Sequence, residues 1–262
     1  MTADGPSVRP PGPALSVPSV VPSVAQPVAP SVAPSLAPSM AVEEAAAFIR
    51  GHTAPGVSPL VPEITLYLAT EITPIWQATE DWLRARAIEP PFWAFAWPGG
   101  QALARHILDH PARVAGRRVL DFAAGGGIAA IACAHGGAAL VEAAEIDPLA
   151  HAAIRLNAAL NGAAITLAAG DIVGAACRWD LILCGDVFYE AGMTGHILPW
   201  LHAMAATAEV WIADPGRAYS PRPGLASGLA SGLAPFARYR VPTSLELEDR
   251  AEREVVLWRL TP

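Results

Sequence analysis

The chain has no lysine; all 17 of its basic residues are arginine, for which a codon-composition bias is sufficient cause. It has only three cysteines, Cys133, Cys177 and Cys184, an odd number without C-x-x-C spacing. That excludes a disulfide framework, argues against a zinc site and predicts a reducing compartment, the cytosol. No run of about 18 apolar residues is free of proline, so no membrane-spanning helix is expected. The N-terminus lacks the basic-then-apolar order of a secretory signal and the arginines of a transit peptide. Seventeen bases against 24 acids leave a net charge of −7, without the basic face that nucleic acid or an anionic membrane requires. No Ser-His-Asp arrangement and no phosphate loop is present. What remains is apolar: 53% of 262 residues, enough for one sizeable α/β domain and too short for two enzyme domains.

Proline is concentrated where order is least expected. Residues 1–40 hold ten of the 26 prolines in a degenerate Pro-Ser-Val/Ala repeat, predicting a disordered, polyproline-like tail. Residues 41–90 form a helical N-terminal addition. It opens with "AVEEAAAFIR", stopped at Gly51, and passes through a turn-rich connection. "PEITLYLAT" fits helix or strand, and a helix then starts at Pro74, with Trp82 in its core face. From residue 91 to 262 strands alternate with helices. The strands are "RRVLDFAAG", "ALVEAAEID", "AITLAAGD", the apolar and central "WDLILCGDVF", and "EVWIADPG". A flexible "GLASGLASGLAP" repeat precedes two strands with no helix between them. The pattern predicts a doubly wound, mostly parallel seven-stranded sheet with an antiparallel pair at one edge.

Strand ends carry the chemistry. The first strand runs into Gly125, Gly126 and Gly127, where the backbone can approach a ligand and a helix offers its first amides. The second strand ends at Glu145 and Asp147, where a carboxylate can accept both hydroxyls of a ribose. A nicotinamide cofactor and S-adenosylmethionine both satisfy that pattern. Asp121, just before the glycines, would crowd a pyrophosphate but suits an ammonium, and Asp171 closes the third strand as an acceptor for an adenine amino group. This favours the adenosyl ligand over a nicotinamide-dependent reductase. His106 and His110 stand four apart on one helix without a third ligand, so a solvated face is expected there. Cys184 lies in an apolar strand and reads as a buried thiol.

With these residues in hand, the chain resembles the seven-strand S-adenosylmethionine-dependent methyltransferases, a Rossmann-like class I fold. "VPEI" (Val61 to Ile64), "PFWAFAWPGGQALARHIL" (Pro91 to Leu108), "EIDP", "GDVFY" (Gly185 to Tyr189) and "DPGR" (Asp214 to Arg217) narrow it. They resemble the electron transfer flavoprotein β-subunit lysine methyltransferases from about Leu60 to Leu257. The resemblance implies methyl transfer to lysine side chains of a protein, first of all the electron transfer flavoprotein β subunit. A ribosomal protein or a small nitrogen compound is the alternative substrate, and an adenosyl-binding scaffold is the non-enzyme alternative. Methyl transfer to an amine needs no metal, the net acidity predicts no nucleic-acid or membrane partner, and a monomer is expected. Cofactor contacts fall on Trp93, Trp97, Asp121, Ala123, Gly125, Gly127, Glu145, Asp147, Asp171 and Asp186. Asp186, at the tip of the fourth strand, accepts an N–H of the incoming amine, and Tyr189 walls the site. The family's first motif has glycine where this chain has Ala123, a replacement tolerated if the local φ is negative.

Overall fold

The computed structural model describes residues 42–70, 90–168, 170–221, 232–244, 248 and 250–262. The proline-rich tail, the helix expected from Pro74 and the Gly-Leu-Ala-Ser repeat up to residue 231 lie outside the described residues.

Helix α1 (Val42–His52) carries Glu43 and Glu44 in its first turn and Arg50 in its last, charges that complement its dipole. The segment after it departs from expectation. In place of a turn-rich connection there is a two-stranded antiparallel sheet, β1 (Ala54–Ser58) with β2 (Val61–Leu68). "PEITLYLAT" is therefore strand, and residues 41–90 are not a purely helical addition. Ile64 and Leu66 are buried at alternate positions, which settles the period as two. Asn157 and Asn161 hold this strand: their Oδ1 atoms accept the N–H of Tyr67 (2.7 Å) and of Thr65 (3.0 Å).

The main sheet shows the expected alternation. β3 (Arg118–Phe122) leads to α3 (Ile128–His135), β4 (Leu140–Ala144) to α4 (Pro148–Leu160), and β5 (Thr166–Ala168) to β6 (Leu181–Gly185). α5 (Ala191–Ala205), β7 (Glu209–Asp214), β8 (Leu233–Pro242) and β9 (Glu252–Leu260) complete it, and α2 (Pro98–Asp109) precedes β3. The strand order is β5-β4-β3-β6-β7-β9-β8, parallel from β5 through β7. The expected antiparallel pair closes one edge, with β9 inserted between β7 and β8 and antiparallel to both.

Period-two burial divides the core between the two faces of the sheet. Val119, Leu181, Leu183, Trp211 and Ala213 pack with α2 and α3 on one face. Leu120, Ile182, Cys184, Val210 and Ile212 pack with α5 on the other. Cys184 is buried as expected, and burial holds its thiol protonated. His106 contradicts the expected solvated face. It is 7% exposed, its Nδ1 lies 3.0 Å from the Tyr239 hydroxyl, and Trp211 and Phe236 meet its ring edge-on. Burial pushes its pKa down to about 4, so the ring is a neutral core group.

Candidate active site

The direction in which strands are added reverses between β3 and β6: β4 and β5 lie on one side, β6 and β7 on the other. Crevices of open α/β sheets form beyond the carboxyl ends of strands at such a point. Here a cleft of about 440 Å³ of empty space, counting its open mouth, is lined by Trp97, Asp121, Ala123, Gly125, Gly126 and Gly185, among others.

The glycine turn is held from both sides. Gly125 donates its N–H to Glu145 Oε2 (3.0 Å), and Asn157 Nδ2 donates to the Gly126 carbonyl (2.8 Å). Gly127, at φ +80°, occupies the N-cap of α3, a conformation that favours glycine. Ala123 also lies in the left-handed region, at φ +53°. The condition set for a harmless replacement is thus not met, and this alanine stores strain of about 1 kcal/mol.

Asp121 projects into the cleft wall with Oδ2 accepting from Ala130 N–H (2.9 Å) in the first turn of α3. Burial raises its pKa to about 7, with the Glu145 charge adding and the Ala130 N–H opposing. A cation placed against Asp121 would relieve that cost. Glu145 accepts from Gly125 N–H and, through Oε1, from Ile146 N–H (2.8 Å), so it shapes the turn that lines the cleft.

Three of the residues expected to contact the cofactor carry structural roles. Asp147 caps α4, its Oδ1 accepting from Leu149 N–H (2.8 Å), which makes it a helix cap. Asp171 closes its own turn on Val173 N–H (2.9 Å) and pairs with His196 Nε2 (2.8 Å), so both oxygens are engaged. Trp93 is 1% exposed and packs among Ile49, Leu149 and Ala153; it is core and no wall of the cleft. Trp97 does line the cleft, and its indole N–H reaches the Phe92 carbonyl (2.8 Å).

Asp186 follows β6 at φ +57°, a conformation uncommon for a non-glycine residue and concentrated at functional sites. Its Oδ2 accepts from Gly99 N–H, where a Cβ on residue 99 would collide with that oxygen. Its Oδ1 accepts from Arg217 Nε (3.0 Å) and Nη2 (2.6 Å). Burial pushes the Asp186 carboxyl up to about 6 despite Arg217 and Gly99. Asp186 is therefore the centre of a buried ion pair rather than an open acceptor. Tyr189 is 43% exposed, with its ring 5.5 Å from that of Phe92, and burial together with Glu145 and Glu190 raises its pKa. Phe92 and Tyr189 form an aromatic rim at the strand ends. Residue patterns alone assigned no role to Phe92, Gly99 or Arg217. For Arg217 the signal was the "DPGR" turn itself, since Asp214 accepts from Gly216 N–H (2.6 Å) and Arg217 N–H (3.0 Å) and so aims the guanidinium.

A seven-stranded sheet whose last strand inserts antiparallel between the two before it is the arrangement of the class I methyltransferases, and this chain has that fold. The family model described as ribosomal protein L11 methyltransferase (PrmA) matches residues 103–185, the segment that builds the glycine turn and β6. The electron transfer flavoprotein beta subunit lysine methyltransferase of Xenopus laevis is 39% identical over 222 residues, covering 82% of this chain and 87% of the relative. That of Danio rerio is 37% identical over 205 residues, covering 76% of each. A solved ribosomal protein L11 methylase from Lactobacillus delbrueckii subsp. bulgaricus is 24% identical, with a TM-score of 0.46 over 64% of this chain and 81% of that one. The chain belongs to the family of electron transfer flavoprotein β-subunit lysine methyltransferases.

Proposed function

We infer that the protein transfers a methyl group from S-adenosylmethionine to lysine side chains of the electron transfer flavoprotein β subunit. The observation that carries this is family membership at 39% identity across 82% of the chain, extending well beyond the cofactor-binding segment. The donor set suits the cofactor. A buried Asp121 raised to about 7 is stabilised by an ammonium, Glu145 stands at the strand end suited to ribose hydroxyls, and the glycine turn lines the cleft beside Asp121. When bound, the sulfonium supplies a methyl carbon already activated for in-line displacement.

The chain's own residues have then to align a neutral amine and shield it from water. Asp186 accepts an N–H of the incoming amine and orients its lone pair. Trp97 and the rim of Phe92 and Tyr189 present aromatic faces to the lysine stem and its cationic end, worth about 0.5–2 kcal/mol per contact. Trp93, Asp147 and Asp171 support the site through the core, a helix cap and a turn. Ribosomal protein as substrate draws support only from the match over residues 103–185, the cofactor segment.

The net charge of −7 and the free thiols support a cytosolic protein without nucleic-acid or membrane partners. The test is a thermal shift: S-adenosylhomocysteine should raise the melting temperature and NAD should not. A shift from NAD alone, or equal shifts from both, would refute the cofactor assignment.

A further inference from the structure

A cation already sits against Asp186. The forked Arg217 guanidinium covers Oδ1, and its central carbon stands 5.6 Å from the centroid of the Trp97 ring, which lines the cleft. A carboxylate on one side and an indole on the other are the surroundings that recognise a positively charged side chain. With Gly99 on Oδ2 and two N–H groups on Oδ1, three of the four lone-pair sites are taken and the side chain is 8% exposed, so an incoming amine competes with Arg217 for this carboxylate.

A second carboxylate is placed to keep Arg217 once that bond is surrendered. Glu248, with a side chain 1% exposed, accepts from Arg217 Nη2 (2.6 Å) and Nη1 (3.2 Å), and from Arg253 Nε (2.9 Å). Arg217 itself is 18% exposed, so solvent and a substrate can reach it. Asp186, Arg217, Glu248 and Arg253 form a chain of alternating charge from the tip of β6 to β9.

Resting on the reading of Asp186 as acceptor for the incoming amine, we propose that Arg217 is a resident stand-in for the substrate lysine. It occupies the amine position in the free enzyme and yields Oδ1, staying on Glu248, when a substrate lysine enters. A guanidinium keeps its proton at working pH and its nitrogens are far poorer nucleophiles than a neutral amine, so the stand-in resists methylation. Free lysine and short amines lack the binding energy of a docked protein to displace a forked ion pair. The device therefore selects lysines borne on protein.

The absence of lysine elsewhere makes the test clean. In Arg217→Lys, the new amine loses its proton to solvent and its nitrogen bonds the donor methyl carbon. The carbon–sulfur bond breaks, its electron pair stays on sulfur as S-adenosylhomocysteine forms, and a methylammonium remains. Untagged Arg217→Lys with labelled S-adenosylmethionine should yield methyllysine in one tryptic position, at a rate independent of enzyme concentration. Wild type and Arg240→Lys, an exposed position on β8, should yield none. An unlabelled Arg217→Lys that still binds S-adenosylhomocysteine, or equal labelling of Arg240→Lys, overturns the proposal.

A second arm needs no methyl donor. By calorimetry at pH 8, Arg217→Gln should bind the flavoprotein β subunit roughly three- to tenfold more tightly than wild type, the worth of one exchanged hydrogen bond. Millimolar methylguanidinium should reverse that gain; unchanged or weaker binding by the variant overturns the proposal. Self-labelling of Arg217→Lys by an enzyme that never labels the β subunit would instead strike the substrate assignment and leave the cation site standing.

Discussion

Asp121 links cofactor binding to protons. In the ligand-free protein burial holds its carboxyl at about 7, well above an ordinary aspartate, so near neutrality half of the molecules carry it protonated. An ammonium docked against it selects the ionised form. Cofactor affinity should then be flat above pH 8, fall about tenfold at pH 6 and about a hundredfold at pH 5. Between pH 6 and 7 binding should release between half a proton and one proton, roughly, which calorimetry in buffers of different ionisation enthalpy reads directly. Asp121→Asn keeps an oxygen for Ala130 N–H and removes the charge. Its affinity for S-adenosylhomocysteine should be lower at pH 8 and independent of pH. Stability moves the opposite way. A folded pKa raised above the unfolded one destabilises the free protein as pH rises from about 4 to 7, so Asp121→Asn should stabilise it at pH 8 by on the order of 2–4 kcal/mol. A wild-type affinity flat from pH 5.5 to 8.5, or the same slope in Asp121→Asn, would refute the assignment of Asp121 to the ammonium.

Single residues elsewhere give further expectations. Ala123→Val puts a β-branched side chain at φ +53° and should cost about 1–3 kcal/mol in chemical denaturation, while Ala123→Gly should cost nothing; the reverse order contradicts the strain. His106 has a folded pKa below its unfolded one, so its contribution is complete above pH 6.5 and lost as pH falls towards 4. Some 2–3 kcal/mol of stability should disappear across that window in wild type and remain in His106→Phe; parallel curves for the two would count against it. Glu145→Ala removes the acceptor that holds Gly125 N–H and should weaken S-adenosylhomocysteine by about 1.5–3 kcal/mol; unchanged affinity would remove Glu145 from the site.

The sheet was legible because its signals are local. Apolar runs ending at Asp121, Glu145 and Asp186, Pro148 at a helix start and two terminal strands without a helix each read within a dozen residues. The hairpin of β1 and β2 was not, because the asparagines that hold its backbone, Asn157 and Asn161, lie some ninety residues away. His106 looked solvated beside Arg105 and Asp109, yet β8 brings Tyr239 and Phe236 over it. Helix neighbours alone do not report what a distant edge strand covers. Asp147 and Asp171 share the placement of ligand acceptors, but a cap and an Asx turn demand the same residue at the same place. The bonds to the Leu149 and Val173 amides show the structural use, which a sequence pattern cannot separate from the other. The pairing of Asp186 with Arg217 spans 31 residues and depends on the turn that Asp214 closes, so a sequence reading sees two motifs and not one site.

Methyl transfer to the flavoprotein itself is the most direct test of the assigned activity. Purified enzyme, labelled S-adenosylmethionine and the β subunit from the same organism should give label on lysine, recovered as methyllysine after hydrolysis. Substitution of the labelled lysines by arginine should abolish it, and Asp186→Ala should abolish it while binding S-adenosylhomocysteine nearly as well as wild type. Label on arginine or histidine, or none on a folded β subunit by an enzyme that binds the cofactor, would contradict the lysine methyltransferase assignment.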